Sequence, residues 1–336
     1  MVDGTFDDGK KSGVFLEYHE NGKLARKITF VQGIRQGPVE VYDENGTPVQ
    51  KGTYDNDKLT DSVSLYFDNG QKRGESYFNK GKLEGLVKEF YANGAVKKEI
   101  EYKGGKPNGA TRAYFDDGKL QSEASYTDGI ATGFYKTYYP NGQLETVSTM
   151  QNGAKHGQYK SYDDEGHLLL EGGFKNGQLH GPNTGYFTDG SIQHKFNYES
   201  GKKSGVNYEY YHGGKVKVKE SASGNLKELT ELTYTEDGKL VSERKFIDGK
   251  PGGTWLFYFD DGKIVHVKES YENGKRHGTR YTYYSTGKVQ REEAFKFDLL
   301  NGPFKTYFEN GTVASTGETG TIASTAPTRP TTPMEK

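Results

Sequence analysis

One period governs this chain. A glycine closes a Tyr-x-x-x-Gly phrase at Gly22, Gly46, Gly70, Gly94, Gly118, Gly142, Gly166, Gly190, Gly214, Gly238, Gly262, Gly287 and Gly311. The interval is 24 residues ten times running, then 25, then 24. Four residues before each glycine stands a tyrosine, with Phe90 the one departure. A unit this short cannot bury a face by itself, so its copies must stack on one another.

Further columns follow the same period. Two residues after the turn glycine the chain is usually aliphatic, as at Leu24, Val96, Leu120, Leu144, Ile192, Leu240, Ile264 and Val289; Pro48 and Lys72 depart. A second aromatic column runs Phe6, Phe30, Tyr54, Phe78, Tyr102, Tyr126, Phe174, Tyr198, Phe246, Tyr271 and Phe295, with Met150 and Ala222 in its gaps. A second turn comes next, at positions such as Gly9, Gly33, Asp57, Gly153, Asn225 and Asp298. Gly, Asn and Asp are the residues that enter the left-handed backbone region most easily.

Each unit is therefore two strands and two tight turns. At the first turn only the glycine is constant, since Glu165 and Thr286 replace the usual Asn or Asp before it. That favours a three-residue loop, a type I turn closed by a left-handed glycine bulge, over a type I′ turn. Such a loop pairs the Tyr column with the aliphatic column on one face. The charges of segments such as Lys23–Phe30 are then expected on the other. No amphipathic helix pattern offers a second layer. The fold expected is all-β: an elongated single-layer twisted antiparallel β-meander of tandem ~24-residue hairpin repeats, solenoid-like, of roughly 25 strands and about 120 Å. Residues 1–13 read as a half repeat capping the array, 14–316 as twelve to thirteen hairpins, and the Thr/Pro/Ser-rich 317–336 as a disordered tail.

Composition removes several functions. Only 32% of residues are hydrophobic, but 26 Tyr and 18 Phe are too many for a disordered chain. Net charge is −1 with both signs interleaved, so no one-signed basic face for nucleic acid is expected. There is no cysteine, hence no disulfide framework, thiolate nucleophile or Cys-based zinc site. No apolar run reaches membrane-spanning length and no signal-peptide pattern is present. That is compatible with the cytoplasm, and with export or the cell envelope had a leader been removed. His156, His180 and His277 recur as turn-flanking repeat positions rather than as a ligand set. GKKSG at 9–13 and 201–205 lacks the spacing and helix of a phosphate-binding loop. No catalytic, cofactor-binding or metal-binding residue is assigned, and no cofactor is expected.

The phrases FKNGQLHG (174–181) and YENGKRHG (271–278) resemble MORN repeats over nearly the whole chain, about residues 6–316. The 24-residue unit is more similar to the bacterial MORN-variant repeat than to the common, slightly shorter form, which has a further Gly-x-Gly after the second turn. Proteins of that kind are often named as antitoxins of toxin–antitoxin modules, and MORN repeats are linked to membranes. The phrase YDENGTPVQ (42–50) also resembles the YD repeat of toxin-encasing shells, but those lack the second half of the present unit.

The functional expectation is a non-enzymatic scaffold that binds a protein partner through an aromatic sheet face. Tyr18, Tyr66, Tyr114, Tyr138, Tyr186 and Tyr258 are its expected contact residues. The unit at 215–238 is irregular: its second aromatic is Ala222, and Leu226, Leu229 and Leu232 follow at threes. The unit is either a drifted repeat or a bend or docking site, with Leu226 and Leu229 as its expected contact residues. Neutralisation of a toxin, a membrane-lipid or glycan surface, and self-association are the alternatives. Near-zero net charge offers little to anionic lipid.

Overall fold

The computed structural model describes residues 1–223 and 227–323. They form 32 β-strands joined by turns, with no helix among the described residues. The chain divides into two compact units, Met1–Gln178 and Leu179–Lys336. Within each unit, strands pair antiparallel in chain order, as do Lys10–Tyr18 with Leu24–Val31 and Ile34–Tyr42 with Pro48–Asp55, and where a strand is broken in two, as at Lys82–Leu83 and Gly85–Phe90, both pieces pair with the strand before them. Neither unit closes into a barrel; among the described residues Val2–Asp7 pairs only with Lys10–Tyr18.

Both turns follow from their residues. At the first, the Gly22 amide donates to the His19 carbonyl at 3.0 Å and the His19 amide to the Lys23 carbonyl at 2.9 Å, with Gly22 at φ 81°. This is the expected three-residue loop. The 25-residue interval arises here too: between Phe259 and Ile264 the loop is one residue longer, so Tyr258 pairs with Val265. The aliphatic column passes through Val265, not Ile264 as expected. The second turn is a two-residue type I′ hairpin. Asn152 and Gly153 sit at φ 52° and 80° between the paired Gln151 and Ala154.

The first turn is followed by an irregularity that decides the faces. Glu17 pairs with Arg26 but Tyr18 with Leu24, leaving Ala25 as an extra residue. The same shift recurs in later repeats, as at Tyr114 and Tyr138. It keeps the Tyr and aliphatic columns opposite each other, but it reverses alternation along the second strand. The second aromatic column therefore lands on the opposite face from the first. The expectation of one aromatic and one charged face is corrected: each face carries one aromatic column, and the bulge is the reason.

The core face of the first unit is apolar at its centre. Phe15, Ile28 and Val39 are 1%, 4% and 4% exposed, with Phe30, Val41 and Tyr54 packed against them. In the second unit most of the equivalent central positions turn polar, as at Asn183, Asn207, Glu220, Glu231, Arg244, Glu269, Arg280 and Glu293, while Phe196 and Trp255 stay aromatic. The last strand runs Val313–Ala323, pairing Leu300 with Ile322 and Leu299 with Ala323. Backbone pairing with Leu299–Tyr307 continues through the Thr-rich stretch as far as Ala323. Residues 324–336 lie outside the described residues.

Candidate functional site

The Tyr face is built around a charge ladder. Glu75, Lys88, Glu99, Arg112, Glu123 and Lys136 stand directly opposite one another on successive strands. Opposite charges in such cross-strand pairs attract. Lys88 lies 3.1 Å from Glu99, and Lys136 lies 2.8 Å from Glu123. The Tyr column borders this ladder. Tyr114 donates its hydroxyl to Glu99, and Tyr138 to Glu123, both at 2.9 Å. Burial, then the glutamate contact, raises both phenols above their ordinary value. Glu123 is held low by Lys136 and then by Tyr138, which outweigh burial. Burial pushes Glu99 upward, but the Lys88 and Tyr114 hydrogen bonds together outweigh it and leave it lowered.

All six expected tyrosines are partly buried. Tyr18, Tyr66, Tyr114 and Tyr138 line one face of the first unit, and Tyr186 and Tyr258 belong to the second. Leu229 does not join them. It pairs with Ala222 and Phe246 in the second aromatic column, on the opposite face from the tyrosines. Leu232 turns the other way, opposite Lys219 and Glu243. Leu226 lies outside the described residues.

A third aromatic column escaped the sequence reading. The residue after each column tyrosine is His19, Phe67, Tyr91, Phe115, Tyr139, Phe187, Tyr211, Phe259, Tyr284 or Phe308 in ten repeats. Where it carries a donor it reaches the next repeat: Tyr91, Tyr139, Tyr211 and Tyr284 each donate to a carbonyl 23 residues on, at 2.7–2.9 Å. Its alternation of Phe with Tyr, and breaks such as Asp43 and Asp163, hid it. This column lines shallow clefts. One of about 470 Å³ is bordered by Phe115, Tyr135, Tyr138 and Tyr139. Another of about 310 Å³ lies at Phe187, His194, Phe196 and Tyr210. Phe115, Ser122 and Tyr138 correspond to Phe187, His194 and Tyr210 three repeats later, so the repeat itself produces the cleft.

A further cleft, of about 430 Å³, opens in the irregular hairpin between Lys203, Glu220, Ala222, Leu229, Glu231 and Phe246. Lys203 Nζ is 2.9 Å from Glu220 Oε2 and 3.7 Å from the Phe196 ring centre. Arg244 pairs with Glu231. Asp163, Glu165 and His167 bring three potential ligand atoms within 4.8 Å of one another. Asp163 is occupied there in capping its own turn, accepting from the Glu165 and His167 amides.

A family model described as MORN repeat variant matches residues 11–32, 35–56, 83–103, 107–128, 132–152, 155–176, 276–296 and 300–319, together just over half the chain. It leaves 57–82 and 177–275 unmatched, although the hairpins continue through both. No curated protein matches. Among solved structures the chain is matched to one titled a crystal structure of TcdB2-TccC3-Cdc42, at 13% identity and TM-score 0.17, over 92% of this chain and 22% of that one. It is also matched to the Tc holotoxin pore of Photorhabdus luminescens, at 13% identity and TM-score 0.14, over 94% and 18%. The chain thus spans about a fifth of the length of those chains.

Proposed function

We propose that this chain, which belongs to the MORN repeat variant family, is a non-enzymatic repeat module that binds a protein partner. The observation that carries the reading is the recurrence, three repeats apart, of the same aromatic-lined cleft in equivalent hairpins. A repeating row of half-buried rings beside hydrogen-bonding edges suits protein recognition. Aromatics supply contact area at small entropic cost, and polar neighbours set register. Of the expected contact residues Tyr138 lines such a cleft; Tyr18, Tyr66 and Tyr114 in the first unit, Tyr186 and Tyr258 in the second and, on the other face, Leu229 would add further contacts.

The test is capture from the native cell with the full chain and with a version lacking residues 215–238. That deletion removes one whole period and so leaves every other hairpin in phase. A single stoichiometric protein retained by the full chain and lost with the deletion supports the reading, and its identity would show whether it is a toxin. Retention of no protein by either form overturns it and puts a glycan or lipid surface in its place.

A further inference from the structure

The second aromatic column lacks a ring at Met150 and at Ala222; Met150 fills its place with a long side chain, whereas Ala222, in the irregular hairpin, does not, and the contacts that hold a ring elsewhere are still in place there. The first contact is a cation. Nineteen residues before the column ring stands Lys11 over Phe30 at 4.9 Å, Arg35 over Tyr54 at 4.4 Å, Lys155 over Phe174 at 5.3 Å and Arg276 over Phe295 at 4.6 Å. At the gap, nineteen residues before Ala222, stands Lys203, on the wall of the cleft.

The second contact is an acceptor. Tyr271 donates its hydroxyl to Glu269 Oε1, two residues before it, at 3.0 Å, while Oε2 of the same carboxylate lies 3.5 Å from Arg280. Two residues before Ala222 stands Glu220. Its Oε2 is held by Lys203 at 2.9 Å, and no described residue bonds its Oε1. Leu229 and Phe246 supply apolar walls. An apolar gap of ring size can take up an aromatic ring from outside.

We propose that this cleft receives the 4-hydroxyphenyl group of a tyrosine presented by the protein partner. Its hydroxyl donates to Glu220 Oε1 and its face lies against Lys203. The assignment rests on the partner-binding reading and names the side chain that reading requires. It also sets a specificity. Phenylalanine leaves the carboxylate without its donor, and phosphotyrosine, which has no phenolic proton to donate, sets a dianion beside Glu220 Oε1.

The experiment is a heteronuclear NMR titration of the full chain with N-acetyl-L-tyrosine amide, and with its phenylalanine and phosphotyrosine counterparts. Saturable shifts confined to the amides around 203, 220–222 and 229–231 are expected with the tyrosine probe. Affinity should fall about tenfold for phenylalanine, the value of one hydrogen bond to a charged group, and no binding is expected for phosphotyrosine. Ala222→Tyr should fill the gap from within, abolishing the shifts while raising the melting temperature by a few degrees and leaving the circular dichroism spectrum unchanged. Glu220→Gln, whose neutral amide oxygen still accepts, should narrow the difference between tyrosine and phenylalanine, and Glu220→Met should abolish it. Equal binding of the two amides by the native chain, binding undiminished in Ala222→Tyr, or no saturable shift overturns the assignment. If a protein is nonetheless captured through residues 215–238, the module reading survives and only the tyrosine site falls.

Discussion

At the scale of single residues, Gly185 and His194 show how a repeat position can be specialised. Most repeats carry small or polar side chains on this row of the core face, but here the imidazole lies flat on the partner glycine and stacks on Phe196 at 4.3 Å. A Cβ at Gly185 would come within 2.1 Å of that ring. Gly185→Ala is therefore expected to cost about 1–3 kcal/mol, the range for overpacking, read as a lowered urea midpoint. An unchanged midpoint would mean that the ring moves aside freely. Burial first, and then Lys203, hold His194 below its ordinary value of 6.5, with Glu209 opposing. A base whose folded value is depressed binds its proton more readily in the unfolded chain. Its contribution to stability is complete above about pH 6.5 and is lost as pH falls from there towards the folded value. His194→Gln should flatten the fall in melting temperature between pH 7.5 and 5.5; parallel curves for the two proteins would refute this.

At the scale of the hairpin, the two turns differ in how well the sequence serves them. The type I′ turn requires positive φ at both central residues, and Lys80 meets it at φ 49°, in a position where asparagine is far better suited. Lys80 is exposed, so Lys80→Asn should stabilise by about 0.5–1 kcal/mol; a lower denaturation midpoint would contradict the turn assignment. At the other turn, Tyr139→Phe removes the hydroxyl that reaches the Tyr162 carbonyl and should lower the denaturation midpoint. Hydrogen exchange should then quicken around 162, and exchange unchanged there would show the bond to be dispensable. Strand existence, pairing order, the three-residue loop and the opposition of Tyr18 to Leu24 were all legible in the letters, because each is fixed by spacing and by glycine. The faces were not. One unpaired residue, Ala25 in the first such hairpin, reverses the alternation, and no residue type marks it. For the same reason Leu229 could not be separated from the tyrosines by counting. The cleft beside it was legible only as a missing ring at Ala222.

At the scale of the whole molecule, one repeat plan supports two kinds of interior. In the first unit the central core-face column begins with Phe15, Ile28 and Val39, whose stability comes from removing apolar surface from water. In the second it runs through Glu220, Glu231, Arg244, Glu269, Arg280 and Glu293, stitched by Lys203–Glu220 at 2.9 Å, Arg280–Glu269 at 3.5 Å and Arg280–Glu293 at 3.2 Å. Glu220 faces Glu231 directly, a like-charge pair tolerable only because each carboxylate has its own cation, Lys203 and Arg244. Sequence periodicity does not register this change, since turns and outer columns continue through it. Its energetic consequence is specific. Salt weakens charge pairs and strengthens apolar burial or leaves it unchanged. Because stability in a repeat array is a sum of local terms, the response should be local as well. Hydrogen-exchange mass spectrometry in about 0.02 M and 0.5 M sodium chloride, a range over which the screening length falls well below 10 Å, is expected to show faster exchange at high salt in strands between 216 and 296. The strands between 10 and 66 should exchange unchanged or more slowly. Screening acts less on the Glu293 side chain, 9% exposed, than on that of Arg244, at 30%. The acceleration should therefore be larger at 228–247 than at 289–296. A uniform response along the chain would mean that the polar column is held by packing rather than by its charges.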